Sequence, residues 1–220
     1  QLVNGAGKQV PASVDYNPAT RTVMLTPQDA VAGGTYQATV SDAKDAAGNV
    51  MTPVKWEFAA PTVAGCPRTL FRENDAPAGV TPSATAIELG MKFRADRDGY
   101  VTGVRFHKGG GNTGTHLGRL WSSRGEKLAE VTFSGETASG WQQANFSAPV
   151  RIAAGWTYVV SYYAPNGQYS YTSNYFSSNI TRSPLIGMVN GSDGGNGVYK
   201  SGGSGFPTAT YQSTNYWVEP

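Results

Sequence analysis

The feature that most constrains this chain is the spacing of its turn formers. From Ile87 onward, short runs of alternating apolar and polar residues follow one another: "IELGMKFRA", "GYVTGVRFHK", "LGRLWSS", "KLAEVTFS", "WQQANFSAPVRIA", "WTYVVSYY", "QYSYT" and "YWVEP". Gly, Pro, Asn or Asp bound each run. A period of two over a few residues is the mark of a half-buried strand, and no stretch carries the 3.6-residue period of an amphipathic helix. Turn signals roughly every 8 to 12 residues predict a sandwich of jelly-roll type over residues 81–220.

The first 60 residues have the same grammar in "RTVMLTP", "GGTYQATVSDAKDAAGNV" and "VKWEFAA". Tyr36 and Ala38 alternate with Thr35, Gln37 and Thr39, and Ala47-Gly48-Asn49 punctuates a hairpin into the last run. Between the two regions, "APTVAGCPRTLFRENDAPAGVTPSATA" is rich in Pro, Ala and Thr. The chain therefore divides into a small β-domain at 1–61, a linker and lead-in loop at 62–80, and a larger β-sandwich at 81–220. The fold class is all-β.

Composition agrees. With 28 Gly, 13 Pro, 12 Tyr and 15% charged residues, the 220-residue chain reads as an exported all-β protein rather than a helical or disordered one. A net charge of +2, from 17 basic and 15 acidic residues, gives no electrostatic reason for nucleic acid as a partner. No apolar stretch approaches the roughly 20 residues of a membrane helix, so membrane insertion is not expected. Cys66 is the only cysteine, which excludes an internal disulfide. The chain opens on Gln1 without a signal peptide and reads as a piece of a longer polypeptide.

Catalysis needs a constellation of groups, and the sequence offers none. "GGSGF" around Ser204 misses the nucleophile-elbow spacing. The carboxylates fall mostly in turns, with no pair set apart by spacing as a glycosidase requires. His107 and His116 lack a cysteine partner for zinc. "ADRDGY" opens like a calcium loop but runs at once into a strand, so a tight turn is expected there. One structural calcium is a candidate cofactor, with Glu88, Asp96 and Asp98 as ligands. "SDGGNG" at 192–197 is a second oxygen-rich loop.

Aromatic residues carry the functional signal. "YYAPNGQYSYTSNYF" places six rings around a Pro-Asn-Gly turn. Sugars are bound by stacking aromatic faces on their C–H side while amides, imidazoles and guanidinium groups take the hydroxyls. In "YVTGVRFH", placing Tyr100, Thr102, Val104 and Phe106 in the core turns Arg105 and His107 outward. In "LGRLWSS", an inward Leu120 turns Arg119 and Trp121 outward. One outer face carrying Arg105, His107, Arg119 and Trp121 is expected. The flexible "GGGNTGTH" adds Asn112 and His116, and the turn adds Tyr163, Asn166 and Tyr169. The candidate ligand-binding set is thus His107, Asn112, His116, Arg119, Trp121, Tyr163, Asn166 and Tyr169. Trp56, Trp141, Trp156 and Trp217 are assigned to packing. "NGSDGGNGVYKSGGSGFPTATY", with Tyr199, Phe206 and Tyr211, is either a loop bordering a site or a plain surface loop.

Two resemblances add context. "VDYNPATRTVMLTP", "AGGTYQATV", "DAKDAAGN" and "WEFAAP", over residues 8–61, resemble a bacterial immunoglobulin-like domain. Only about four strands fit, against the usual seven or so, which leaves an unpaired edge and an uncovered face. Strand exchange with a neighbouring chain is one partner this allows. The stretches from "ELGMKFRADRDGY" to "SYTSNYF" and "GSDGGNGVYKSGGSGFPTATYQSTNYWV", over residues 69–219, resemble the domain of unknown function 4082 family. That resemblance implies a β-sandwich accessory module of a secreted or cell-surface bacterial protein, with no known reaction. The expectation is a non-catalytic, carbohydrate-binding module whose partner is a glycan or polysaccharide. The alternative is a structural or adhesive spacer, or an assembly module without a sugar ligand.

Overall fold

A computed structural model describes residues 1–18, 21–27, 34–45, 47–60 and 68–220. Cys66 and most of the linker's first residues lie outside these. The chain divides into two compact units, Gln1–Cys66 and Pro67–Pro220. No α-helix occurs among the described residues, as the missing 3.6-residue period predicts.

The first unit holds β1 (Leu2–Asn4), β2 (Ala12–Asn17), β3 (Thr22–Pro27), β4 (Gly34–Val40) and β5 (Val54–Ala60). One sheet has the order β1-β4-β5, and β2 pairs with β3 in a separate hairpin. The predicted alternation holds: Tyr36 and Ala38 are buried with Leu2, while Val10 and Leu25 pack against them. The apolar face then runs out at β5. Phe58 stacks on Tyr36 and Trp56 is registered against Ala38, yet both remain exposed. Trp56 therefore does not pack as expected.

The second unit holds β6 (Gly79–Val80), β7 (Ile87–Ala95), β8 (Gly99–Lys108), β9 (Leu117–Ser122), β10 (Lys127–Thr132), β11 (Gly140–Ile152), β12 (Tyr158–Ala164), β13 (Ser170–Tyr171), β14 (Ile180–Arg182), β15 (Leu185–Gly187), β16 (Val198–Ser201), β17 (Ala209–Thr210) and β18 (Val218–Glu219). The larger sheet runs β10-β9-β12-β7-β15-β14, with β16 also pairing β7 and β17 pairing β16. The smaller sheet runs β11-β8-β18. Leu89, Met91, Phe93, Leu120, Val160 and Tyr162 from the first meet Val104, Phe106 and Val218 from the second in one core. Phe106 stacks on Tyr162 with ring centroids 4.2 Å apart. This is the β-sandwich that the spacing of turns predicts.

Two strand assignments change. Tyr100 is exposed and Val101 takes its place in the core. The cause is a bulge: β11 passes from Asn145 to Val150 while β8 passes only from Gly103 to Val101. A side chain at Gly103 would lie 2.3 Å from the Ala144 carbonyl, so the crossover needs glycine. Trp156, assigned to packing, is exposed in the turn before β12.

Candidate binding site

The predicted outer face is split, because β8 and β9 belong to different sheets. Arg119 and Trp121 lie on the outer side of the larger sheet and Arg105 and His107 on that of the smaller one. Neither pair is open to a ligand in the way expected.

On the larger sheet, β12 runs between β9 and β7, and Ser161 is registered against Arg119. Arg119 donates from its guanidinium to Glu88 at 2.5 Å, and Ser161 Oγ donates to the same carboxylate at 2.6 Å. Trp121 Nε1 donates to Ser161 at 2.7 Å, and the Gly205 amide closes over Glu88 at 3.3 Å. Phe206 packs on the Trp121 ring. All four polar and aromatic members are buried, Glu88 and Ser161 completely. Burial pushes the Glu88 carboxyl above the usual range, against the pull of Ser161 and Arg119. The Gly-rich stretch is thus a cover: it seals the residues proposed to meet a ligand.

On the smaller sheet, Arg105 is buried beside Glu219, reaches Glu73 and the Phe71 carbonyl, and stands 4.2 Å over the Trp141 ring. Glu219 accepts the Leu70 and Phe71 amides at 2.5 and 2.7 Å. The lead-in segment is therefore stitched across this face. His107 is half-buried, with Nδ1 3.3 Å from Ser170 Oγ and its ring edge-on to Trp141 and Trp217.

The "GGGNTGTH" loop folds inward. Asn112 and His116 are fully buried. His116 Nδ1 lies 2.8 Å from Glu136, which also accepts from Lys108, and Nε2 lies 2.8 Å from the Asn112 amide. Asn112 turns its Oδ1 to His116 Nε2 and its amide nitrogen toward the Tyr162 phenol. Burial lowers the His116 pKa, and the Glu136 carboxylate opposes that shift. These groups hold the loop and do not present it.

The carboxylates named for calcium do not converge. Glu88 and Asp96 are eight positions apart along one extended segment, about 26 Å at strand rise. Asp96 accepts from Arg97 and Ser183, and Asp98 from Ala154 and Arg151. Among the described residues, no group of three or more His, Cys, Asp or Glu side chains could hold a metal. In the second oxygen-rich loop, Asn196 is buried and bonds backbone groups of Lys92 and Met188, a structural role.

The Pro-Asn-Gly turn fares differently. Asn166 sits exposed at its tip and donates to Thr113 at 3.2 Å. Tyr162 points into the core and Tyr163 outward, half-buried. After the turn, the backbone bonds Gln168 to Ser83 at 2.7 Å and Thr81 to Tyr169 at 3.0 Å. A Cβ on Gly167 would lie 2.4 Å from the Ser83 carbonyl, so this close approach requires glycine. The approach sets Tyr169 at the mouth of a cleft of about 320 Å³, lined by Ser83, Thr85, Ile87, Tyr169, Tyr199, Ser201, Tyr211 and Tyr216.

The cleft is built from four segments. Ile87 of β7 is registered against Ser201 of β16, and Tyr199 stands two residues earlier on the same face. Tyr211 follows β17, and the Thr214 amide and hydroxyl both bond its carbonyl. Ile87 and Tyr216 form the buried floor, Tyr169 and Tyr199 the half-buried walls, and Thr85, Ser201 and Tyr211 the exposed rim. Tyr169 and Tyr199 meet Tyr216 edge-on at 5.5 and 6.3 Å. Burial raises the pKa of both Tyr169 and Tyr216, the latter far beyond the ordinary phenol range, and the neighbouring phenols add to the effect on Tyr216. No lining side chain is Asp, Glu, Lys, Arg or His.

Of the eight sequence-predicted binding residues, only Tyr169 reaches this cleft. Tyr199 and Tyr211 were legible as aromatics in a Gly-rich stretch. Ser83 and Thr85 lay hidden in the short connection between β6 and β7, and only pairing between distant strands brings them to Tyr216.

The family model described as "Domain of unknown function (DUF4082)" matches residues 74–218, about two thirds of the chain, and includes every residue of the cleft. No curated protein and no solved structure matches the chain.

Proposed function

This chain belongs to the DUF4082 family, and we propose that its sandwich is a non-catalytic, carbohydrate-binding accessory module of a secreted or cell-surface bacterial protein. The observation that carries the reading is the cleft with four tyrosine rings and a rim of hydroxyls. Its volume is at the small end of ligand pockets, suited to a short saccharide segment rather than a long chain. Phenol faces offer stacking surface, and Ser83, Thr85 and Ser201 offer donors and acceptors in one group each. Affinity for one such module is modest and rises with repetition in a larger protein. A glycan array probed with the intact chain and with Tyr199→Ala and Tyr211→Ala tests this. Binding to at least one saccharide, lost in both variants while the fold persists, is expected. Equal binding by both variants removes the cleft from the reading.

A second reading, assembly through the first unit, is favoured by β5. It ends its sheet with one edge unpaired among the described strands, and exposes Trp56, Phe58 and Val54. If that unit is an immunoglobulin-like domain short of strands, a strand from a second copy would cover this apolar margin. Light scattering that shows a concentration-dependent dimer, lost in Trp56→Lys, is its expected outcome; a monomer at every concentration counts against it.

A further inference from the structure

We infer that the tyrosine cleft selects uncharged saccharides and rejects uronates and sulfated sugars. This rests on the carbohydrate-binding reading above and adds the class of sugar. Seven of the eight lining side chains end in a hydroxyl, and the eighth is Ile87. A hydroxyl both donates and accepts, so a rim of hydroxyls can mate with sugar hydroxyls in either sense. A carboxylate or sulfate only accepts. It needs a guanidinium, an ammonium or several convergent amides to offset the loss of its hydration.

The fold keeps such groups away from the cleft. Along β16, Tyr199 and Ser201 turn toward the cleft, so Val198 and Lys200 turn to the other face. Val198 accordingly packs with Trp121 beneath Phe206, and the Lys200 side chain runs beside Gly205. Along β7, Ile87 turns to the cleft and Glu88 away, where Arg119 is held between Glu88 and Glu130. One pair of strands thus sorts its charges to one face and its hydroxyls and rings to the other. Burial raises the pKa of Tyr169 and Tyr216 and holds those two phenols in their neutral form.

The test compares matched probes on the intact chain by calorimetry: oligogalactosides against oligogalacturonides, and dextran against dextran sulfate. The neutral member of at least one pair is expected to bind at least about tenfold more tightly than its acidic counterpart, because an unpaired buried charge costs a decade or more in affinity. That binding should be insensitive to salt between low and physiological ionic strength and should disappear in Tyr211→Ala, whose side chain stands exposed on the rim. Thr85→Lys, which adds a cation to the exposed rim, should improve the acidic member. Acidic probes that bind as well as neutral ones, through a site that Tyr211→Ala destroys, overturn the selectivity while leaving the carbohydrate reading intact. Absence of binding by every probe, or binding untouched by Tyr211→Ala, overturns both.

Discussion

Replacing Arg119 with methionine isolates the buried charge network under the Gly-rich cover. Met keeps most of the buried stem, so the change is mainly electrostatic rather than a cavity. Glu88 is fully buried and loses its only cationic partner, leaving the Ser161 hydroxyl and the Gly205 amide as donors. Stranding one member of a buried pair costs about 3–5 kcal/mol. The second partner, Glu130, is partly solvated and keeps Lys127 at 3.0 Å, so its loss adds little. For a unit of this size the penalty corresponds to a fall of about 6–20 °C in Tm.

The pH dependence separates this cause from simple misfolding. Burial already raises the folded-state pKa of Glu88 above its unfolded value, and removing the guanidinium raises it further. The folded state then binds more protons than the unfolded one, so stability is greatest below the unfolded carboxylate pKa and falls as pH rises through the folded value. The penalty of Arg119→Met should therefore be largest at neutral pH and shrink near pH 4.5, the ordinary Glu value. Adding Glu88→Gln to the same background should recover most of the loss at neutral pH, because the amide keeps an acceptor for Ser161 and Gly205 without a charge. Urea unfolding followed by tryptophan fluorescence reads all of this, since Trp121 touches the network through Ser161. A neutral-pH loss under about 1 kcal/mol, or one that does not shrink on acidification, refutes the argument.

His116 and His107 both have folded pKa values lowered by burial, so they stabilise the fold above about pH 6.5 and lose that contribution as pH falls toward the folded values; His116→Gln should flatten this acid-side decline in a denaturant titration. Gly197→Ala should destabilise the second unit by several kcal/mol, about 3 or more, and weaken saccharide binding: Gly197 has φ of +72° and its Cβ would fall 1.8 Å from the Thr214 carbonyl, in the segment joining Tyr211 to Tyr216. Gly202→Ala, at a comparable φ of +77° but with open space around it, should cost about 1 kcal/mol, and thermal melts of the two variants separate strain from collision.

Local signals survived where a single strand decides the outcome. Leu120 faces the core and Arg119 and Trp121 face away, as their alternation requires, and Tyr162 and Tyr163 divide in the same manner. What alternation does not encode is which sheet a strand joins and what lies over it. Arg105 and Arg119 both point outward, yet a lead-in segment covers one and a Gly-rich loop the other. Outward is therefore not the same as wet. Tyr100 shows a second limit: the β11 bulge sits on the partner strand and carries no mark in "GYVTGVRFHK" beyond Gly103.

The cleft was illegible for a related reason, and the reason bears on its use. Its lining comes from the segment leading into β7, the turn after β12, β16 and the last segment, whose sequence neighbours point elsewhere. Small polar residues such as Ser83, Thr85 and Ser201 look like ordinary loop content until strand pairing sets them beside Tyr216. Most residues that looked like a binding set, with imidazole, guanidinium and indole, are instead bonded to other groups of the protein, as Arg119 is to Glu88 and Trp121 to Ser161. Groups able to make strong directional bonds are costly to leave unpaired, so a packed sandwich tends to consume them. A phenol tolerates a surface with its ring half covered and its hydroxyl in water. What this fold leaves over at the cleft is accordingly ring faces and hydroxyls, and the proposal of a neutral sugar rests on that uncommitted chemistry more than on the richness of the sequence in polar groups.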